Sequence, residues 1–332
     1  MQSINEADHK VVEDIERAGE KLGRAKEAIG RVIFGQQPVV DLALTSILSG
    51  GHGLLVGLPG LAKTKLVETI ARVMGLQEKR VQFTPDLLPS DIIGSEVLEE
   101  SDTGTRHFRF IRGPVFSQLL MADEINRASP RTQSALLQAM QEKHVTVAGQ
   151  RYDLPRPFHV LATQNPIEQE GTYPLPEAQL DRFLLEIEVP YPDLEAERRM
   201  LFATTGPAES LPDAVMTAED LLAMQRLVRL IPVGDSVVNA VLNLVRSARP
   251  DGDADEFVRE TVAWGPGPRA SQALMLGVRT RALMDGRLSP SVDDVIALAN
   301  PVLRHRMALT FAARADGQTL DGVISRLCAK LG

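Results

Sequence analysis

Apolar residues near the start of the chain fall at Val11, Ile15, Ala18, Leu22, Ala25, Ile29 and Val32, in alternating steps of four and three. That spacing lays one apolar stripe along a helix, so an amphipathic helix is expected over residues 1–30. Such a stripe could also serve a coiled-coil arm, but the small residues Ala18 and Ala25 favour packing against the chain's own core. Over 31–192 the pattern changes to short apolar runs of strand length alternating with helical stretches. This predicts an α/β domain around a mainly parallel sheet. Beyond Pro190-Tyr191-Pro192 the helical period prevails, and an all-helical domain is expected over 193–332. Within it, Thr217 with Asp220 and Ser291 with Asp294 have the spacing of helix-start capping boxes, Asp standing in for the commoner Glu or Gln.

Two hairpins are expected to interrupt the α/β part. Runs at 96–100 and 105–111 flank Ser101-Asp102-Thr103-Gly104, and runs at 144–147 and 151–154 flank Ala148-Gly149-Gln150. Turn-forming residues between β-compatible runs give this reading. Such excursions often carry contacts, though either could be a plain surface loop.

Composition narrows the field. The chain of 332 residues is long enough for about two domains. Lys plus Arg number 36 against 44 Asp plus Glu, a net charge of −8, which weighs against a surface built for nucleic acid. Aromatic content is 4%, thin material for stacking bases. One cysteine, Cys328, allows no internal disulfide and suits a reducing compartment. Absence of an apolar run of about 18 residues, and of a basic-then-apolar leader, points to a cytoplasmic protein without a membrane span. His9, His52, His107, His144, His159 and His305 form no zinc-like spacing.

The strongest local signal is Leu54-Leu55-Val56-Gly57-Leu58-Pro59-Gly60-Leu61-Ala62-Lys63-Thr64, followed by Lys65. It reads as an apolar strand entering a glycine turn that ends in Lys-Thr at a helix start. Backbone N–H groups of such a turn and the positive end of the next helix surround phosphate oxygens. Lys63 would neutralise the β and γ phosphates, and the Thr64 hydroxyl would complete part of a Mg²⁺ shell. Ala62 stands where the generic pattern has its second glycine; right-handed backbone angles are expected there, at the first turn of the helix.

A second apolar strand delivers Asp123 and Glu124 at its C-terminal end, the side on which open α/β sheets bind ligands. Asp123 could hold Mg²⁺ through water while Glu124 orients and deprotonates an attacking water. Alternatively the pair simply opens the following helix. A third run, His159-Val160-Leu161-Ala162-Thr163-Gln164-Asn165-Pro166, again ends in polar groups, and the sequence order would allow it to lie beside the second. Its Asn165 offers a donor and an acceptor between a γ-phosphate and water, or else caps a turn.

Together with Ala122-Asp123-Glu124-Ile125-Asn126-Arg127-Ala128, Ala162-Thr163-Gln164-Asn165-Pro166 and Gly171-Thr172-Tyr173-Pro174-Leu175-Pro176-Glu177-Ala178-Gln179-Leu180-Asp181-Arg182-Phe183, the phosphate loop makes the chain resemble the MoxR family of AAA+ ATPases over about 30–330. Ala62 is itself usual in that family. The resemblance implies a P-loop AAA+ core with a helical lid, binding ATP and Mg²⁺. It makes Asn165 the first sensor residue and Arg182 the finger that reaches a neighbouring subunit's ATP. Arg269, in Gly265-Pro266-Gly267-Pro268-Arg269-Ala270, becomes the second sensor, pointing to the bound γ-phosphate. Val32-Ile33-Phe34-Gly35-Gln36 resembles the adenine-pocket segment, with Ile33 and Gly35 as contacts. The hairpins match inserts directed toward a ring's central opening.

It further implies a homo-oligomeric, hexameric ring that remodels or matures a client protein, often beside a protein with a von Willebrand factor A domain. The motor subunit of a magnesium-chelatase-type metal inserter and a nucleotide-dependent assembly scaffold with negligible hydrolysis are the alternatives. Val302-Leu303-Arg304-His305-Arg306 is also family-like, without a role that the sequence reveals.

Overall fold

The computed structural model describes residues 2–100, 106–168, 171–205, 212–251 and 254–331; the expected turn at 101–104 therefore lies outside the described residues. The α/β part runs α1 (Gln2–Gly30), α2 (Gln37–Leu48), β1 (Gly53–Val56), α3 (Lys63–Val73), β2 (Glu78–Gln82), α4 (Pro89–Ile93), β3 (Gly94–Glu100), β4 (Arg106–Arg112), β5 (Leu119–Asp123), α5 (Pro130–Glu142), β6 (His144–Val147), β7 (Gln150–Asp153), β8 (His159–Gln164), α6 (Glu177–Leu180) and β9 (Leu185–Glu188). The lid follows as α7 (Leu194–Thr204), α8 (Ala218–Leu230), α9 (Asp235–Ser247), α10 (Glu256–Thr261), β10 (Val262–Trp264), α11 (Pro268–Met284), α12 (Val292–Leu303), β11 (Ala308–Leu309), α13 (Phe311–Ala315) and α14 (Leu320–Cys328).

Five strands form one parallel sheet in the order β2-β5-β8-β1-β9. The central strands β5 and β8 are buried on both faces, which is why they read as unbroken apolar runs rather than alternating ones. Register places the C-terminal ends of β1, β5 and β8 side by side, with Val56 opposite Gln164 and Ala122 opposite Ala162. The apolar stripe of α1 is buried from Ile15 through Ile29, packed against α2, α3, α8 and α11. Lys21 of α1 holds Asp220 of α8 at 2.6 Å.

Both capping boxes form as the spacing predicts, at Thr217/Asp220 and Ser291/Asp294. The lid is not wholly helical: β10 and β11 pair antiparallel, an arrangement of non-local segments that leaves no periodic trace. The two hairpins are β3–β4 and β6–β7. Phe110 of the first stacks on Tyr152 of the second, ring centres 4.1 Å apart, so they share an aromatic contact. Two cations of the first hairpin are answered across the strand pair, Arg109 by Glu99 and Arg106 by Glu100, although Phe108 stays 70% exposed.

Candidate nucleotide-binding site

The turn after β1 is shaped by two different demands on glycine. At Gly57 a Cβ would lie 2.9 Å from both the side chain and the carbonyl oxygen of Val189, so the loop can leave β1 beside β9 only without a side chain. Gly60 instead has open space but φ +82°, a conformation that favours glycine. Ala62 is the correction to the sequence reading: its φ of 55° and ψ of 23° are left-handed, not right-handed. It lies just ahead of α3, and the conformation costs about 1–2 kcal/mol for a residue with a Cβ. Lys63, the first residue of α3, folds its Nζ back to donate to the carbonyls of Gly57 and Leu58, each at 2.7 Å. Burial lowers the ammonium below its ordinary pKa, opposed by the nearby carboxylates of Asp123 and Glu124.

Asp123 ends β5 and is 8% exposed. Its Oδ2 accepts from Arg80 of β2 at 2.6 Å, and its Oδ1 accepts from the Thr163 hydroxyl at 2.6 Å. The Glu124 N–H in turn donates to that hydroxyl at 2.8 Å. Thr163 thus ties both acids to β8. Glu124 has left the strand, with a left-handed φ of 55°. Gln82 donates to Glu124 at 2.7 Å and Arg127 at 3.0 Å. Arg127 also approaches Glu168 at 3.8 Å, and Asn165 donates to Glu168 at 3.4 Å. The remaining oxygen of Asn165 accepts from Ile167 N–H, so its side chain also closes the turn after β8, the bland reading of that residue.

A cavity of about 530 Å³ adjoins the phosphate loop, lined by Ile33, Phe34, Gln36, Pro59, Leu61 and Lys65 together with Tyr191, Pro192 and residues of α7. Ile33 is among the lining residues. Gly35 is not; it acts from behind, where a Cβ would strike that of Ala196 at 2.4 Å. The residues fit a nucleotide: the glycine cradle would be filled by side chains, and the buried Oε1 of Gln36 in the cavity wall has no partner. Oxygen donors at Thr64 and Asp123 suit a hard divalent cation that keeps several waters. Among the described residues no three or more His, Cys, Asp or Glu side chains gather into a metal site held by protein alone.

Arg182 and Arg269 do not join this edge. They share a separate cleft of about 230 Å³ with Asp181, Gln272 and Arg306, and none of the residues 57–65 lines it. Arg269, at the start of α11, faces Asp181 at 3.6 Å rather than this chain's own phosphate loop. The lid packs so that the start of α11 lies beside the segment after α6, which sequence order could not reveal. Sequence order likewise does not reveal the contacts of Arg80, Gln82 and Thr163; the only signal was the position of Gln82 and Thr163 near the ends of their strands, where side chains meet across a parallel sheet.

A parallel sheet with a phosphate loop, an acid pair and a helical lid defines an AAA-type ATPase. Residues 52–185 match the family model described as ATPase family associated with various cellular activities (AAA), and 254–327 match the AAA lid domain. The chain is 44% identical to Chaperone MoxR1 of Mycobacterium tuberculosis, over 92% of this chain and 80% of that one. It is 31% identical to Protein MoxR of Paracoccus denitrificans, over 86% and 88%. A crystal structure from Cytophaga hutchinsonii, of a protein provisionally assigned as an ATPase, superposes with TM-score 0.90 at 35% identity, covering 100% of this chain and 99% of that one. The chain belongs to the MoxR family of AAA+ ATPases. Among the described residues, no single helix is long and apolar enough to cross a membrane.

Proposed function

We propose that the protein hydrolyses ATP with Mg²⁺, in a homo-oligomeric, hexameric ring in the cytoplasm, and uses the cycle to remodel a client protein. The core would span 31–192 and the lid 193–332, with the helix over 1–30 preceding them. One observation carries the reading: loop, acid pair and polar strand end converge at one edge of the sheet, while Arg182 and Arg269 stand together in another cleft. Each site would then be half built by its own chain and completed by the arginines of the next.

In this arrangement the N–H groups of the loop and Lys63 bind the phosphates, Lys63 exchanging its two carbonyl acceptors for them. Pro59, Gly60, Leu61, Ala62 and Lys65 form the wall between phosphate and base. Thr64 and Asp123 would hold Mg²⁺, which when bound would neutralise phosphate charge. Glu124 takes the proton of the attacking water, with Gln82 and Arg127 holding its carboxylate until then. Asn165 orients that water, after giving up its contacts to Glu168 and Ile167. Arg182 supplies charge to the neighbour's site, an effect worth roughly 10³ to 10⁵ in rate in related systems. The name chaperone carried by the M. tuberculosis relative supports a protein client.

Phosphate release by wild type and by Glu124→Gln tests the proposal. The variant is expected to bind ATP normally and to lose roughly 10² to 10⁴ in turnover. Equal rates for the two proteins would overturn it.

A further inference from the structure

We infer that Arg306, a lid residue, is the positioning residue for Arg182. The inference rests on the reading of Arg182 as a finger offered to the neighbouring subunit. Among the described residues the Arg182 guanidinium has no hydrogen-bond or ion-pair partner, so nothing holds it except the backbone that carries it. That backbone is gripped from the lid. Arg306 is 2% exposed and every N–H of its guanidinium has an acceptor. Nε donates to Asp181 Oδ1 at 2.7 Å. Nη2 donates to the carbonyls of Asp181 at 3.2 Å and Phe183 at 2.6 Å. Nη1 donates to those of Leu184 at 3.2 Å and Val302 at 2.6 Å.

The residues immediately before and after Arg182 are therefore tied to one planar, five-donor group. Neighbouring His305 adds a contact to the Phe183 carbonyl at 3.1 Å. Asp181 also draws Arg269 to within 3.6 Å through its other oxygen, so one carboxylate contacts both Arg306 and Arg269. The consequence is a coupling: a displacement of the lid turn at Arg304–Arg306 moves the peptide groups on both sides of Arg182. A lysine cannot reproduce the grip, having three donors at a point rather than five in a plane.

The test is turnover in mixed rings. Arg306→Lys is expected to keep nucleotide affinity at its own site and to lose roughly a hundredfold in turnover, the scale of a misplacement of about 1 Å. Mixed with Glu124→Gln, whose finger is intact, it should recover the same fraction of activity as the reference pair Arg182→Ala with Glu124→Gln. Mixed with Arg182→Ala it should recover none, because both chains then lack a correctly placed finger. A subunit that is merely unstable would not be rescued in the first mixture. Asp181→Asn, at a more exposed position, should show the same pattern and serves if Arg306→Lys does not fold. Wild-type turnover in both variants, or no recovery with Glu124→Gln in rings shown to contain both chains, would overturn the inference while the reference pair still recovers. Failure of the reference pair itself would instead sink the neighbour-directed reading of Arg182, and this inference with it.

Discussion

At the C-terminal edge of the sheet Lys63, Asp123 and Glu124 all have partners within the chain: loop carbonyls for the lysine, Arg80 and Thr163 for the aspartate, Gln82 and Arg127 for the glutamate. In the cleft beside α11, Arg182 has none among the described residues, and only its flanking backbone is fixed. The first region is balanced internally and must exchange contacts to accept a phosphate. The second presents an unneutralised cation from a chain of net charge −8. A buried or half-buried cation that lacks a partner is unfavourable unless solvent or an outside anion serves it. The difference supports the proposed reading, in which one cleft receives the nucleotide and the other is offered to a neighbouring subunit.

Three experiments can break or sharpen that contrast. Lys63→Ala, on the receptor side, is expected to abolish binding of a fluorescent ATP analogue while leaving the circular dichroism spectrum unchanged; wild-type affinity would remove the loop from its role. On the contributing side, Arg182→Ala should leave affinity intact and lower turnover roughly 10³-fold or more. Arg269→Ala, already half satisfied by Asp181, should lose only about ten- to a hundredfold, the worth of one charge-assisted hydrogen bond. Lost affinity with unchanged turnover in either arginine variant would erase the distinction between the clefts.

The smallest effect concerns the opposite end of the sheet. His159 Nδ1 meets the Gly51 carbonyl at 2.8 Å and its Nε2 meets Gln225 of α8 at 3.0 Å, joining the sheet to the lid. Burial pushes His159 down to about 4 and His52 down to about 3 from 6.5. Both are neutral when folded, so the unfolded chain binds more protons below pH 6.5. Stability is therefore fully present above pH 6.5 and falls as the pH drops toward about 4. Denaturant midpoints at pH 7 and pH 5 should differ, and His159→Gln should reduce the difference. An unchanged pH dependence in that variant would show that the sheet–lid contact carries no such linkage.

Short-range pattern alone determined a good deal about this protein. The stripe of α1, the apolar runs of β5 and β8, the glycine loop and the polar residues at the strand ends each follow from steric and burial rules acting within a few residues. The parallel α/β core was therefore legible, and sequence order allowed, without requiring, the pairing of β5 with β8. Only the tertiary structure decided which chemistry meets which. Arg306 and Asp181 are 125 positions apart in the chain, and Arg80 and Asp123 are 43 apart; no periodicity spans such gaps. The left-handed Ala62 escaped for a related reason. Its backbone angles are set by the turn that joins β1 to α3, and that demand outweighs the residue's own preference for the helix it precedes.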